Sequence, residues 1–210
     1  MWEKASIFRI GPFWPGRGQV LAWEAMDEQQ AQPRGDAPRS VGGDVDRSRG
    51  PDVRVAEVAD AGVAAQMLHD FNLEFDTPTP GPALLEERLL RMLGRDDVVV
   101  LLAGDPAAGV ALLTFRPSVW DSGPVALLEE LYVRPDLRRR GIGHTLLERA
   151  VALAEARGSQ TFEINVDEGD TDARRFYEAH GFTDLQPETN ERALYYSRFV
   201  APPSATGGMR

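Results

Sequence analysis

The stretch LYVRPDLRRRGIGHTLLERA, residues 131–150, restricts what this chain can fold into more than any other. A β-branched and aromatic run stops at Arg134-Pro135, three arginines and Gly-Ile-Gly follow, and a helical pattern begins at once. A helix start carries orphan backbone N–H groups and a partial positive charge, so it can hold an anion. Gly141 and Gly143 let successive amides converge on one point without a Cβ in the way. Arg138, Arg139 and Arg140 add guanidinium groups able to grip phosphate through two parallel hydrogen bonds. The turn therefore predicts a phosphate site in preference to a solvated basic run. It is not a P-loop, because no Gly-Lys-Ser/Thr follows. It is not a dinucleotide fingerprint, because GIGHTL lacks the third glycine.

The elements around the turn follow from periodicity. DVRVAEV alternates as a half-buried strand, with Val53 and Val55 on one side. Asp60 is placed to cap AGVAAQMLHDFN, where Val63, Met67 and Leu68 recur at helical spacing. LEFDTPTPGP is a proline-punctuated loop, and ALLEERLLRML is a second helix stopped by Gly94. DVVVLLAG and AGVALLTFRP, split by Asp105-Pro106, read as a hairpin, and PVALLEELYV as the strand that feeds the arginine turn. The following helix puts Ile142, Leu146, Leu147, Ala150, Val151 and Ala154 on one face. TFEINV is an alternating strand, ARRFYEAH a helix, and GFTDL and RALYYSRFV closing strands. The order β-α-α-β-β-β-α-β-α-β-β predicts a mixed α/β fold, not a doubly wound sheet.

Composition narrows the partners. The 210 residues carry a net charge of −10 and no cysteine. Disulfides, thiolate catalysis and Cys-based zinc sites are excluded, and nucleic acid is disfavoured as the main partner. Acidity favours encounter with a cationic substrate. No apolar run reaches the ~18 residues of a membrane span, and MWEKASIFRIGPFW lacks a secretory core, so no membrane partner and a cytoplasmic location are expected. His69, His144 and His180 have no metal-ligand spacing, so no metal is expected. Residues 1–51, rich in Gly, Pro and mixed charge, read as a disordered or loosely docked extension in which Trp2, Phe8, Ile10, Phe13 and Trp14 are the candidate docking patch. Met26 is a candidate alternative start. Residues 52–200 form the folded domain on this reading, and 201–210 a flexible tail.

Two blocks carry a family resemblance. Arg138-Arg139-Arg140-Gly141-Ile142-Gly143, led in by Leu131-Tyr132-Val133-Arg134-Pro135, resembles the Arg/Gln-x-x-Gly-x-Gly/Ala turn of the GNAT acetyltransferase superfamily. Asp170-Thr171-Asp172-Ala173-Arg174-Arg175-Phe176-Tyr177-Glu178-Ala179-His180-Gly181-Phe182 is similar to its Asn-x-x-Ala-x-x-Phe-Tyr-x-x-x-Gly-Phe element. The resemblance implies a mixed, mostly antiparallel sheet with splayed fourth and fifth strands and helices on both faces. It also implies acetyl-CoA as cosubstrate, with the pantetheine arm against Leu131, Tyr132 and Val133. The pyrophosphate would lie on amides from Arg139 to His144. Asp170, Ala173 and Phe176 would belong to the cofactor-binding second block. Asp170 stands where the family has Asn; both cap helices, but Asp has no amide donor.

Acetylating an amine requires a base, since an alkylammonium has a pKa near ~10. Glu129 and Glu130 lie in the fourth strand, and strict alternation places them on opposite faces. Glu129 stands where polyamine-acetylating members of the family have a catalytic glutamate; Glu130 is the alternate, or a substrate contact. Tyr177 matches the family's tyrosine general acid. In the family the first two helices wall the acceptor site, which here offers Phe71, Asn72, Glu74, Phe75 and Asp76 to a cationic amine. The expected function is transfer of an acetyl group from acetyl-CoA to a small cationic amine by direct attack in a ternary complex. The alternatives are a protein N-terminal or lysine acetyltransferase and a non-catalytic CoA-binding sensor. Homodimers in the family form through late strands such as RALYYSRFV.

Overall fold

The computed structural model describes residues 51–186 and 188–198. The extension 1–51 expected to be disordered therefore lies, but for Pro51, outside the described residues, as do the 201–210 tail and the last two residues of RALYYSRFV.

Five strands form one sheet in chain order: β1 Val53–Val55, β2 Val98–Ala103, β3 Gly109–Arg116, β4 Val125–Val133 and β5 Phe162–Ile164. The pairs β1–β2, β2–β3 and β3–β4 are antiparallel, and β4–β5 is parallel. Period-2 alternation divides the side chains between two cores. Val98, Val100, Leu102, Val110, Leu112 and Tyr132 pack against α1 (Ala61–Glu74) and α2 (Pro82–Met92). Val99, Leu101, Ala111, Leu113, Phe115, Ala126 and Leu128 pack against α3 (Ile142–Ala156), whose Leu146 and Leu147 are buried. Phe176 and Tyr177 of α4 (Thr171–Ala179) join that second core. The mixed, mostly antiparallel sheet with helices on both faces is the expected one.

Three expectations are corrected. α1 buries Ala61, Ala64, Ala65, Met67 and Leu68, leaving Val63 exposed; three alanines let this helix lie close to the sheet, turning the larger Val63 outward. Asp60 does not cap α1. It takes the Glu57 N–H and both terminal nitrogens of Arg54, which hold its carboxyl down at about 2. GFTDL and RALYYSRFV form no strands among the described residues: a single bridge, Leu185 to Arg192, closes a turn in which Ala193 N–H donates to Asp184 O at 2.7 Å. Its arms carry Asp184, Gln186, Glu191 and Arg192, which leaves no run of alternating apolar residues to bury. Among the described residues no helix is long and apolar enough to cross a membrane.

Candidate active site

β4 is nine residues long, but β5 pairs only with its first half, through Ala126, Leu127 and Leu128. Beyond Leu128↔Ile164 the two strands part, so Leu131 to Val133 face β5's side without a strand partner among the described residues. This is the expected splay, and its cause lies partly on the other edge of β4. Leu112 of β3 pairs with Glu130, yet Leu113 pairs with Leu128, so Glu129 is an extra residue in the ladder. Such a bulge bends and twists the strand that contains it.

The bulge also overturns the expectation that Glu129 and Glu130 point to opposite faces. Glu130 lies opposite Leu112, on the α1/α2 face. Thr114 shares that face, two residues further along β3, and its Oγ1 donates to Glu129 Oε1 at 2.7 Å. Both carboxylates are therefore on one side of the sheet. Burial, and then the adjacent Glu129 charge, push Glu130 up to about 7. Among the described residues no hydrogen bond reaches its carboxylate. Tyr177, half-buried on α4, has its phenol pushed up by burial first and then by the charges of Asp170 and Glu130. The charge of Glu130 on β4 thus reaches the Tyr177 phenol on α4. Phe182 and Phe176 pack edge-on to the Tyr177 ring.

The arginine turn closes the other end of the gap. Gly141 has φ +80° and, one residue removed, Arg139 has φ +61°; left-handed residues alternating with ordinary ones curl a chain so that its amides converge. Among the described residues no side chain caps α3. Ile142 sends its side chain into the core and leaves its amide at the turn. The three arginines separate in role. Arg138 Nη1 and Nη2 each donate to Glu74 at 2.6 Å, and its Nε donates to Val133 O at 2.9 Å. Arg140 donates to Asp136 O. Arg139 alone makes no ion pair or side-chain hydrogen bond among the described residues. An uncapped amide curl with one free guanidinium, beside an unpaired strand edge, fits a diphosphate followed by an extended amide-bearing arm.

The second block meets the first through α4. Asp170 Oδ1 accepts from the Ala173 N–H at 3.0 Å and caps the helix, the role expected of it; that bond uses the Ala173 amide. Phe176 lies under Gly143, within 3.6 Å of where a Cβ would stand. His144, in the first turn of α3, has its Nδ1 2.8 Å from His180 Nε2, and His180 Nδ1 lies 2.7 Å from Phe176 O. Sequence spacing gave no hint of this pair, which is 36 residues apart. The Phe71 ring meets Phe75 edge-on at 5.3 Å and Tyr132 at a tilt at 5.4 Å, so Phe71 ties α1 to β4. Asp76 is exposed at the end of α1 with φ +51°. Among the described residues no cluster of three or more metal-ligating side chains occurs.

A mixed five-strand sheet, parallel only at β4–β5 and opened between those strands, with helices on both faces, defines the class: an open α/β fold with a glycine turn at one end of the gap and two carboxylates at the other. The acetyltransferase (GNAT) family profile matches residues 64–182, more than half of the chain, and the chain belongs to that family. A crystal structure of an acetyltransferase from Arthrobacter sp. FB24 is 52% identical, superposes with a TM-score of 0.67, and aligns over 79% of this chain and 100% of its own. The aminoglycoside N(6')-acetyltransferase type 1 of Klebsiella aerogenes is 35% identical over 42% of this chain and 60% of its own length. The thialysine N-epsilon-acetyltransferase of Caenorhabditis elegans is 27% identical over 57% of this chain and 74% of its own. The chain thus spans less than two thirds of the Klebsiella relative.

Proposed function

We propose that the protein transfers an acetyl group from acetyl-CoA to a primary amine of a small cationic molecule, by direct attack with both substrates bound. The observation that carries this reading is the bulge at Glu129, which sets two carboxylates on the acceptor side of β4 at the mouth of the β4–β5 gap. Acetyl-CoA would supply an activated acyl thioester. The amides of 139–144 and the free Arg139 would hold its diphosphate, while the β4 edge at Leu131–Val133 would align its arm.

Glu130 takes the proton of the incoming ammonium, directly or through water. A carboxylate raised to about 7 is a stronger base than an ordinary one and is still ionised in half or more of the molecules above neutrality. Glu129, tied to Thr114, adds a fixed negative charge that favours a cation at the same spot. As the C–N bond forms and the C–S bond breaks, Tyr177 donates its proton to the sulfur; the new amide nitrogen sheds its extra proton, which returns the phenol to its starting state, and the proton held by Glu130 leaves to water. The roles of Glu129 and Glu130 are thereby the reverse of those expected from the family position alone, with Glu129 assisting.

The relatives that act on aminoglycoside and thialysine amines support a cationic acceptor, as do Phe71, Phe75 and the exposed Asp76 around the end of α1. A panel of aminoglycosides, polyamines and lysine-like amines with acetyl-CoA, followed by thiol release, tests the proposal. Turnover of at least one small polycation supports it. Turnover of peptide N-termini or lysines alone replaces it with protein acetylation. CoA binding without transfer to any acceptor replaces it with a sensor.

A further inference from the structure

The first arginine of the turn does not face the amide curl. Its guanidinium is clamped by the carboxylate of Glu74 through two 2.6 Å hydrogen bonds and by the last carbonyl of β4, Val133 O, through a third. Its Cζ stands 5.8 Å from the centre of the Tyr132 ring. Glu74 is 64 residues away in sequence and is the last residue of α1. A carboxylate there meets the negative end of its own helix, which disfavours it unless a cation compensates. The pair thus joins the acceptor-side helix to the residue immediately before Arg139.

Arg139 is the strained point of the turn. A non-glycine residue at φ +61° is strained and persists only when its surroundings fix it. The preceding residues are fixed by Leu137 N–H to Arg134 O, at 2.9 Å, and by the three-bond grip on Arg138. Among the described residues, the fork to Glu74 is the one contact in that grip from outside β4 and the turn itself.

We infer that Glu74 is a positioning residue for the anion curl: acting through Arg138, it holds residues 138–143 in the conformation that receives the diphosphate. This rests on the acetyl-CoA reading above and moves Glu74 from gripping the amine to shaping the cosubstrate site. Arg138 becomes a strut, and Arg139 carries the charge that meets phosphate.

Calorimetric titration of CoA into the wild type, Glu74→Ala, Arg138→Ala and the double variant decides the matter, with the amine KM measured alongside. Glu74→Ala is expected to weaken CoA binding about fivefold, as befits a half-exposed but bidentate pair. The double variant is expected to bind no worse than Arg138→Ala alone, because the two side chains act as one unit. The amine KM stays within about twofold of wild type. Tighter CoA binding in Glu74→Ala would mean that Glu74 competes with phosphate for Arg138, and an unchanged Kd that the pair is inert; either overturns the inference. A raised amine KM at unchanged CoA Kd overturns it in favour of an acceptor contact. If Glu74→Ala does not fold, Glu74→Gln, which keeps the volume and one acceptor oxygen, is read on the same scale. Absence of CoA uptake by the wild type would instead remove the acetyl-CoA reading, whatever the variants do.

Discussion

Glu130 is where pH reaches both the fold and the proposed chemistry. Its carboxyl moves from 4.5 to about 7 on folding, chiefly because burial disfavours the charge. Between those values the folded chain holds a proton that the unfolded chain has lost, so this group makes stability fall as pH rises, and the loss is complete above about 7. Glu130→Gln has no charge to bury. Its stability relative to wild type should therefore grow between pH 5 and pH 8, by up to about 3 kcal/mol, as read by urea unfolding at the two values. An offset that is the same at both would show that the carboxyl is not held in its protonated form. At Tyr177 the same burial works in the opposite functional sense, keeping the phenol protonated throughout the working range. Tyr177→Phe should lower kcat by about tenfold or more with an unchanged melting curve; wild-type turnover would remove the phenol from the mechanism. Sequence alternation placed Glu129 and Glu130 on opposite faces, and the ladder puts them on one. A bulge is a mismatch between two strands, and β4 read alone has no mark of where β3 will skip a residue.

At the scale of elements, the position of α3 against the sheet governs the proposed diphosphate site, because its first turn adjoins residues 138–143. α3 approaches β3 closely at Gly109. A Cβ there would stand 2.8 Å from Leu146 Cδ1 and 3.1 Å from Tyr132 O. Gly109→Ala should lift α3, costing about 1–3 kcal/mol of stability and raising the KM for acetyl-CoA more than that for the amine. An unaltered urea midpoint would mean that the helix has room to spare. The helix itself was legible in sequence: Ile142, Leu146, Leu147, Ala150 and Ala154 repeat at 3.6 and are buried as expected. So were the β2–β3 hairpin and the glycine turn, whose signals are local. The Glu74–Arg138 fork and the His144–His180 contact were not, because each joins residues far apart in the chain and depends on how helices α1, α3 and α4 meet the sheet. The closing strands were over-read from Leu194, Tyr195 and Tyr196, which have strand propensity but are exposed among the described residues. Propensity forms a strand only where there is a face to bury it against.

Over the whole molecule, charge separates the two substrates. The chain carries −10 overall, yet its proposed cosubstrate is a polyanion and its proposed acceptor a cation. Short-range contacts at the curl, with Arg139 and the α3 amides, must therefore offset a long-range repulsion for one ligand, while the other is drawn in by the mean field. These respond differently to salt. The Debye length shrinks from about 30 Å at 0.01 M to about 8 Å at 0.15 M, so added salt removes the distant field first and leaves the buried or near-contact terms. For a dicationic amine, KM should rise several-fold across that range, whereas an uncharged amine analogue should show little change. For acetyl-CoA the loss of repulsion and the screening of Arg139 oppose each other, and KM should move less than for the dication. Measuring all three KM values at two ionic strengths checks this. A dication whose KM is flat with salt would show that the acidic surface takes no part in acceptor capture, leaving Glu129 and Glu130 as the groups that select a cation.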